Sequence, residues 1–430
     1  MTAIAAHLLI FLQLLGAVAF LQPRQTPPDD FTPNPQVGWG GNKWKDTRHF
    51  RLYNAPSDSA ATSALNSLEA AYTCFVRDLG WRSPGLSFLK GDDNGPFYKL
   101  NVYVTNESVT GGAPANTYTE QVYGMSFLNV LPNYVTVPAV TVHEFGHALT
   151  YAERYWIDQT VTGAWWETTA NFVADTYLNS DHCKKARQEL NQPEGDSLVE
   201  LGKTISESYL TIVDGTRDKG NYYQAWPFLA YVLNNPDNFT GLGRDAFPGV
   251  WTKYARNSNE TPLHVLQRLA APTRIQDVVG RYWARMAFVD FGNPKAKAVF
   301  ERDRAKLNYK NLDSIEGQRR FRPKRDRQPR YMGSNIIPIQ ATGAVAVNVT
   351  ASSPFTATLV VKGKSGAVEY IPMKEGSATA NAQGNELALV VVNTPDKLLN
   401  YDPFKLSPEA TRGLDYTVEL YAPQGARIEI

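Results

Sequence analysis

Residues 135–178 read VTVPAVTVHEFGHALTYAERYWIDQTVTGAWWETTANFVADTYL, and two helical patterns within them decide the fold class. The β-branched stretch 134–137 is strand-like. Pro138 suits the first turn of a helix, where its missing N–H costs nothing. Ala139, Val140, Val142, Phe145, Ala148 and Leu149 then give an apolar stripe at helical spacing. That helix carries His143-Glu144-Phe145-Gly146-His147, an HExxH pattern. Side chains four apart share a helical face, so both imidazoles can reach one ion. Glu144 is displaced by about 100° from His143 and points beside that ion, towards an activated water. At ordinary residue frequencies a chance HExxH in a chain of this length is on the order of 1%.

A catalytic zinc needs three protein ligands and an open position. The extended pattern HExxHxxGxxH would place Gly at 150 and His at 153, but the chain has Thr150 and Glu153. A carboxylate on a following helix is the remaining common solution. Glu167 stands twenty positions after His147, in a segment whose Ala170 and Ala174 offer a small face for close packing.

HExxH followed by Glu-x-x-Ala on a second helix resembles the glutamate-zincin metallopeptidases, the clan that includes thermolysin-like enzymes. The resemblance covers residues 135–178, and Trp166 stands where thermolysin-like enzymes have Asn. It implies a zincin-like catalytic domain with one Zn²⁺ held by His143, His147 and Glu167. Glu144 would be the general base. Asn171 is four positions after Glu167, where thermolysin-like enzymes carry an Asp that orients the first histidine. Asp175, one turn further, is the alternative for that role. The transition-state oxyanion normally has a second donor. Among His182, His264, Tyr222 and Tyr223, Tyr223 is the candidate. Residues 121–131 (QVYGMSFLNVL) read either as the sheet-edge strand that binds a peptide by strand addition or as an ordinary strand. Trp165 and Trp166 read as core, with the wall of the site as the alternative.

Outward from this stretch, the chain has 430 residues, 43% of them hydrophobic and 20% charged, with a formal net charge of +1. That length predicts more than one unit, and the charge balance excludes a nucleic-acid partner. Only six histidines are present, so His-dependent chemistry has a short list to draw on. An apolar run within residues 1–19, with Ala17 and Ala19 in a small-x-small pattern, predicts a secretory signal peptide. The mature chain is therefore expected to be secreted, with no stable membrane insertion. Asn106, Asn238, Asn259 and Asn348 head glycosylation sequons. In an oxidising compartment Cys74 and Cys183 can form one bridge, or they stay as two buried thiols.

A Pro-rich leader is expected over 20–45 and the catalytic domain over 46–316, its second half mainly helical. Helical patterns run over 59–79, 222–233, 261–270, 274–288 and 295–307, and a strand over 98–104. Residues 317–335 form an expected basic linker, with seven Lys/Arg against one Asp in 317–330. Over 336–430 short alternating runs separated by turn residues predict a small all-β sandwich. The fold class is thus α+β. The expected function is a secreted zinc endopeptidase acting on polypeptide or glycoprotein substrates. The alternative is an adhesion or glycan- or matrix-binding protein with a structural or vestigial zinc site.

Overall fold

Five strands build an N-terminal sheet in the order β1-β2-β3-β5-β4 in a computed structural model that describes residues 27–90, 92–153, 162–244, 247–255, 257–317, 319–423 and 425–430. The strands are β1 (Trp44–Asp46), β2 (Phe50–Tyr53), β3 (Leu100–Val104), β4 (Ala115–Glu120) and β5 (Met125–Val130). β2, β3 and β5 run parallel, and β4 closes the edge antiparallel to β5. The expected signal peptide and residues 20–26 lie outside the described residues.

Inward-facing Phe50, Leu52, Val102 and Leu128 are fully buried in the core that also contains the helix Asp58–Tyr72 and the motif helix Pro138–Ala152. The opposite face carries Tyr53, Tyr103 and Phe127, which pack with Val37. Residues 27–45, expected as a leader, are built into the fold. Phe31 is 2% exposed, its ring between His49, Tyr72 and Phe97, and Thr32 bridges to Tyr98.

Helices dominate from Gly163 to Asp303. The pattern over 59–79 resolves into Asp58–Tyr72 followed by a π-helical turn, Thr73–Asp78. The pattern over 222–233 begins later, at Trp226, so Tyr222 and Tyr223 belong to the preceding turn. Cys74 and Cys183 are joined in a disulfide across 109 positions, stapling that π-turn to the helix Asp181–Glu189. Among the described residues no helix is long and apolar enough to cross a membrane.

The C-terminal part holds two antiparallel five-stranded sheets. Their strands are β6 (Leu312–Glu316), β7 (Arg320–Pro323), β8 (Ser334–Ala341), β9 (Ala344–Ala351), β10 (Phe355–Lys362), β11 (Val368–Pro372), β12 (Ser377–Asn381), β13 (Glu386–Asn393), β14 (Tyr416–Tyr421) and β15 (Ala426–Ile428). The orders are β11-β10-β13-β8-β15 and β12-β9-β14-β7-β6. Ile337, Leu359 and Leu389 of the first sheet meet Val347, Val418 and Phe321 of the second in one core. The first sheet is also covered on its other face, where Ile336, Val360, Ala388 and Val390 join the core of the helical part. This double burial accounts for the unbroken apolar run of β13, ELALVVVN.

The expected basic linker 317–335 is built into the fold. Its middle is strand β7, with Arg320 and Arg322 exposed and Phe321 and Pro323 buried in alternation. Tyr331 and Met332 enter the helical core, so packing is continuous from helices to sheets. The whole is a mixed α+β fold.

Candidate metal centre

Two helices crossing at close range make the site. The motif helix starts at Pro138 after an extended Val137 and buries Val142, Phe145, Ala148 and Leu149. It stops at Glu153, whose carboxylate accepts the Arg82 backbone N–H at 3.1 Å. The buried Arg82 guanidinium in turn donates to the Ala152 carbonyl at 2.6 Å. The second helix, Gly163–Asn179, is buried over most of its circumference. Contact is possible because the middle of the motif is glycine. A Cβ on Gly146 would lie 2.8 Å from the Ala170 Cα and 3.1 Å from the Val173 Cβ.

That crossing brings together His143, His147 and Glu167. The two Nε2 atoms are 3.2 Å apart, and each is 3.3 Å from Glu167 Oε2. A tetrahedral ion with bonds of about 2.0 Å has ligand–ligand edges of about 3.3 Å. The three atoms therefore form one face of such a tetrahedron, leaving the fourth vertex open. Glu167 Oε2 is shielded from solvent and faces both Nε2 atoms at 3.3 Å, a grouping of three donor atoms that suits a shared cation. The residues fit a single divalent ion.

The three groups are also coupled electrostatically. Burial pushes the Glu167 carboxyl up, but the imidazoles of His143 and His147 outweigh it and hold the group well below the ordinary range. Burial pushes His147 down, but Glu167 and then Glu144 outweigh it and raise it. The negative charge that draws a proton onto the imidazole is the charge that would favour a cation.

Asn171 fixes the orientation of His143. Its Nδ2 donates to the Tyr223 carbonyl at 2.7 Å, which turns Oδ1 towards His143 Nδ1, also at 2.7 Å. Since Oδ1 can only accept, Nδ1 carries the hydrogen and Nε2 presents its lone pair to the centre. The Tyr223 ring stacks beside His143 at 6.2 Å between centroids. Burial and the charge of Glu167 push its phenol above the ordinary value, so it stays a donor at neutral pH.

Glu144 is buried against the sheet edge. The Thr117 hydroxyl on β4 lies 2.7 Å from its Oε2 and 3.0 Å from its backbone carbonyl. Thr117 was not singled out from the sequence; its one signal is its place in a polar run with two threonines and a tyrosine, ANTYTE. The strand at the sheet edge beside Glu144 is β4. The apolar residues 125–130, within the segment read as a candidate edge, form β5, which is paired on both sides.

Asp175 is not at the centre. It is buried two turns along the helix, where it accepts from the Leu198 N–H at 2.7 Å, Ser197 Oγ at 2.8 Å and Asn293 Nδ2 at 2.8 Å. His182 faces Asn234, and His264 forms a capping box with Thr261. Trp165 is fully buried; Trp166 is half-buried and packs on Tyr151. Among the sequons, Asn106, Asn238 and Asn259 are exposed, whereas Asn348 is half-buried within β9 and accepts from Ser377 Oγ at 3.0 Å.

A family profile described as "Family of unknown function (DUF6055)" matches residues 39–422. No curated protein matches the chain.

Proposed function

We propose that this chain, which belongs to the family of unknown function DUF6055, is a secreted zinc-dependent endopeptidase with a zincin-like catalytic core. The observation that carries this reading is the triangle of His143 Nε2, His147 Nε2 and Glu167 Oε2, with edges of 3.2–3.3 Å and a carboxylate beside it. Zinc, when bound, supplies Lewis acidity that activates a water and polarises a carbonyl.

The chain's own residues perform the remaining tasks. Asn171 holds His143 with Nε2 free to ligate. Glu144 takes the proton of the attacking water and delivers it to the departing amine, which is ordinary work for a positioned carboxylate. Thr117 keeps that carboxylate in one orientation. Tyr223 donates to the developing oxyanion. β4, the edge strand beside Glu144, offers an extended polypeptide a ladder to join. The apolar run at residues 8–19 and the Cys74–Cys183 disulfide support an extracellular setting.

The test is hydrolysis of casein and of a peptide library by the full chain and by Glu144→Gln. Zinc-dependent cleavage that falls at least a thousandfold in the variant supports the reading. Equal turnover in both forms, or none in zinc-loaded wild type, rejects it in favour of a binding protein that keeps a metal site without chemistry.

A further inference from the structure

The loop between β13 and β14 leaves the β-sheet part and reaches the candidate centre. It is pinned at two points. Tyr401 is buried and donates its hydroxyl to the Val213 carbonyl at 3.1 Å, and the Gly215 N–H donates to the Pro403 carbonyl at 2.9 Å. A tight turn follows, with the Phe404 N–H donating to Asp402 Oδ1 at 2.9 Å and a bridge from Asp402 to Lys405. Phe404 stands at the tip of this turn.

Its ring rests on bare backbone. A Cβ on Gly163 would lie 2.7 Å from Phe404 Cε2, and one on Gly215 would lie 2.7 Å from Cδ1. Any side chain at either position would displace the ring. One face of Phe404 is thus seated in a slot made by two glycines, and the residue remains 53% exposed. A lone exposed Phe needs no explanation. This one is fixed from beneath and is continuous with the site. It packs edge-on against Tyr222 at 5.8 Å, Tyr222 lies 4.6 Å from Tyr223, and Tyr223 stacks on His143. The Thr168 hydroxyl ties the Tyr222 carbonyl to the residue after Glu167, at 2.6 Å. Gly163, under the ring, is one helical turn, about 6 Å, before Glu167.

Resting on the peptidase reading, we infer that Phe404, supplied by the β-sheet part, and Tyr222 form a specificity-determining wall. It accepts an aromatic or large aliphatic side chain of the substrate flanking the bond that is cleaved. The β-sheet part then completes the substrate cleft rather than serving as a detached tail.

Binding, not turnover, tests this. Zinc-loaded full-length Glu144→Gln is titrated calorimetrically with two capped dipeptide hydroxamates that differ only in a Gly or Phe side chain. The same pair is titrated with Phe404→Ala and Phe404→Leu added. The Phe compound is expected to bind about tenfold tighter than the Gly compound. That preference falls below about twofold with Phe404→Ala and is partly kept with Phe404→Leu, while affinity for the Gly compound is unchanged. An undiminished preference in Phe404→Ala, or none with Phe404 present, overturns the assignment alone. Failure of both hydroxamates to bind overturns the metal-centre reading beneath it.

Discussion

Thr117 Oγ1 lies 2.7 Å from Glu144 Oε2, joining the edge strand of the sheet to the glutamate between the two histidines. A hydrogen bond to a charged group contributes about 1.5–3 kcal/mol. Thr117→Val, which keeps the shape and loses the hydroxyl, is expected to lower kcat about 10- to 100-fold with little change in KM. Thr117→Ser is expected to retain most of the rate. Steady-state kinetics on one peptide, with zinc content measured in parallel, checks both.

The partner that orients a ligating imidazole typically accounts for 10- to 100-fold in metal affinity. Asn171 is that partner for His143 Nδ1. Asn171→Ala is expected to weaken zinc binding by about that factor. Asn171→Asp can still accept from Nδ1 and is expected to keep the affinity, although its bond to the Tyr223 carbonyl is lost. Competition against a chromogenic chelator measures both variants.

Gly146 has backbone against it, since its missing Cβ would come within 2.8 Å of the Ala170 Cα. Gly146→Ala must part the two helices, at a cost of about 1–3 kcal/mol. Gly202, with nothing within 4 Å of its would-be Cβ, is the control. Gly202→Ala is expected to be neutral or slightly stabilising, by under about 1 kcal/mol. Thermal unfolding of the two variants separates a packing constraint from a general intolerance of substitution.

Burial pushes Asp175 up to about 6, against the donation of Leu198, Ser197, Asn179 and Asn293. Its folded pKa is above the unfolded one, so between about pH 4 and 6 the folded state binds the proton more tightly. Stability therefore falls as pH rises through that window, by on the order of 3 kcal/mol for this residue. Asp175→Asn is expected to flatten the decline. Denaturant titrations at pH 4, 5, 6 and 7 on both proteins show whether the slope disappears.

The motif helix was legible because its signals agree: an N-terminal proline, an apolar stripe and two histidines four apart. Asn171 was legible because four residues carry a side chain only about 40° round a helix and 6 Å along it. Asp175 was misplaced for the same reason. Eight residues amount to about 80° and 12 Å, enough to turn it from the side that faces His143 towards Asn293.

The edge strand was hidden by composition. An edge is half solvated, so β4 is polar, while the apolar run at β5 marks an interior strand. In 320–323 a strand period was present, but the exposed arginines masked it. Phe404 had no local signal. Its position depends on glycines some 240 and 190 residues away, whose meaning appears only once the chain is folded.

Crystals of the full chain grown with zinc, with diffraction measured on both sides of the zinc absorption edge, decide whether the three side chains hold one ion. One anomalous peak is expected, about 2.0 Å from His143 Nε2, His147 Nε2 and Glu167 Oε2. A zinc peak elsewhere, or Glu167 turned away from an ion held by the histidines, would contradict it.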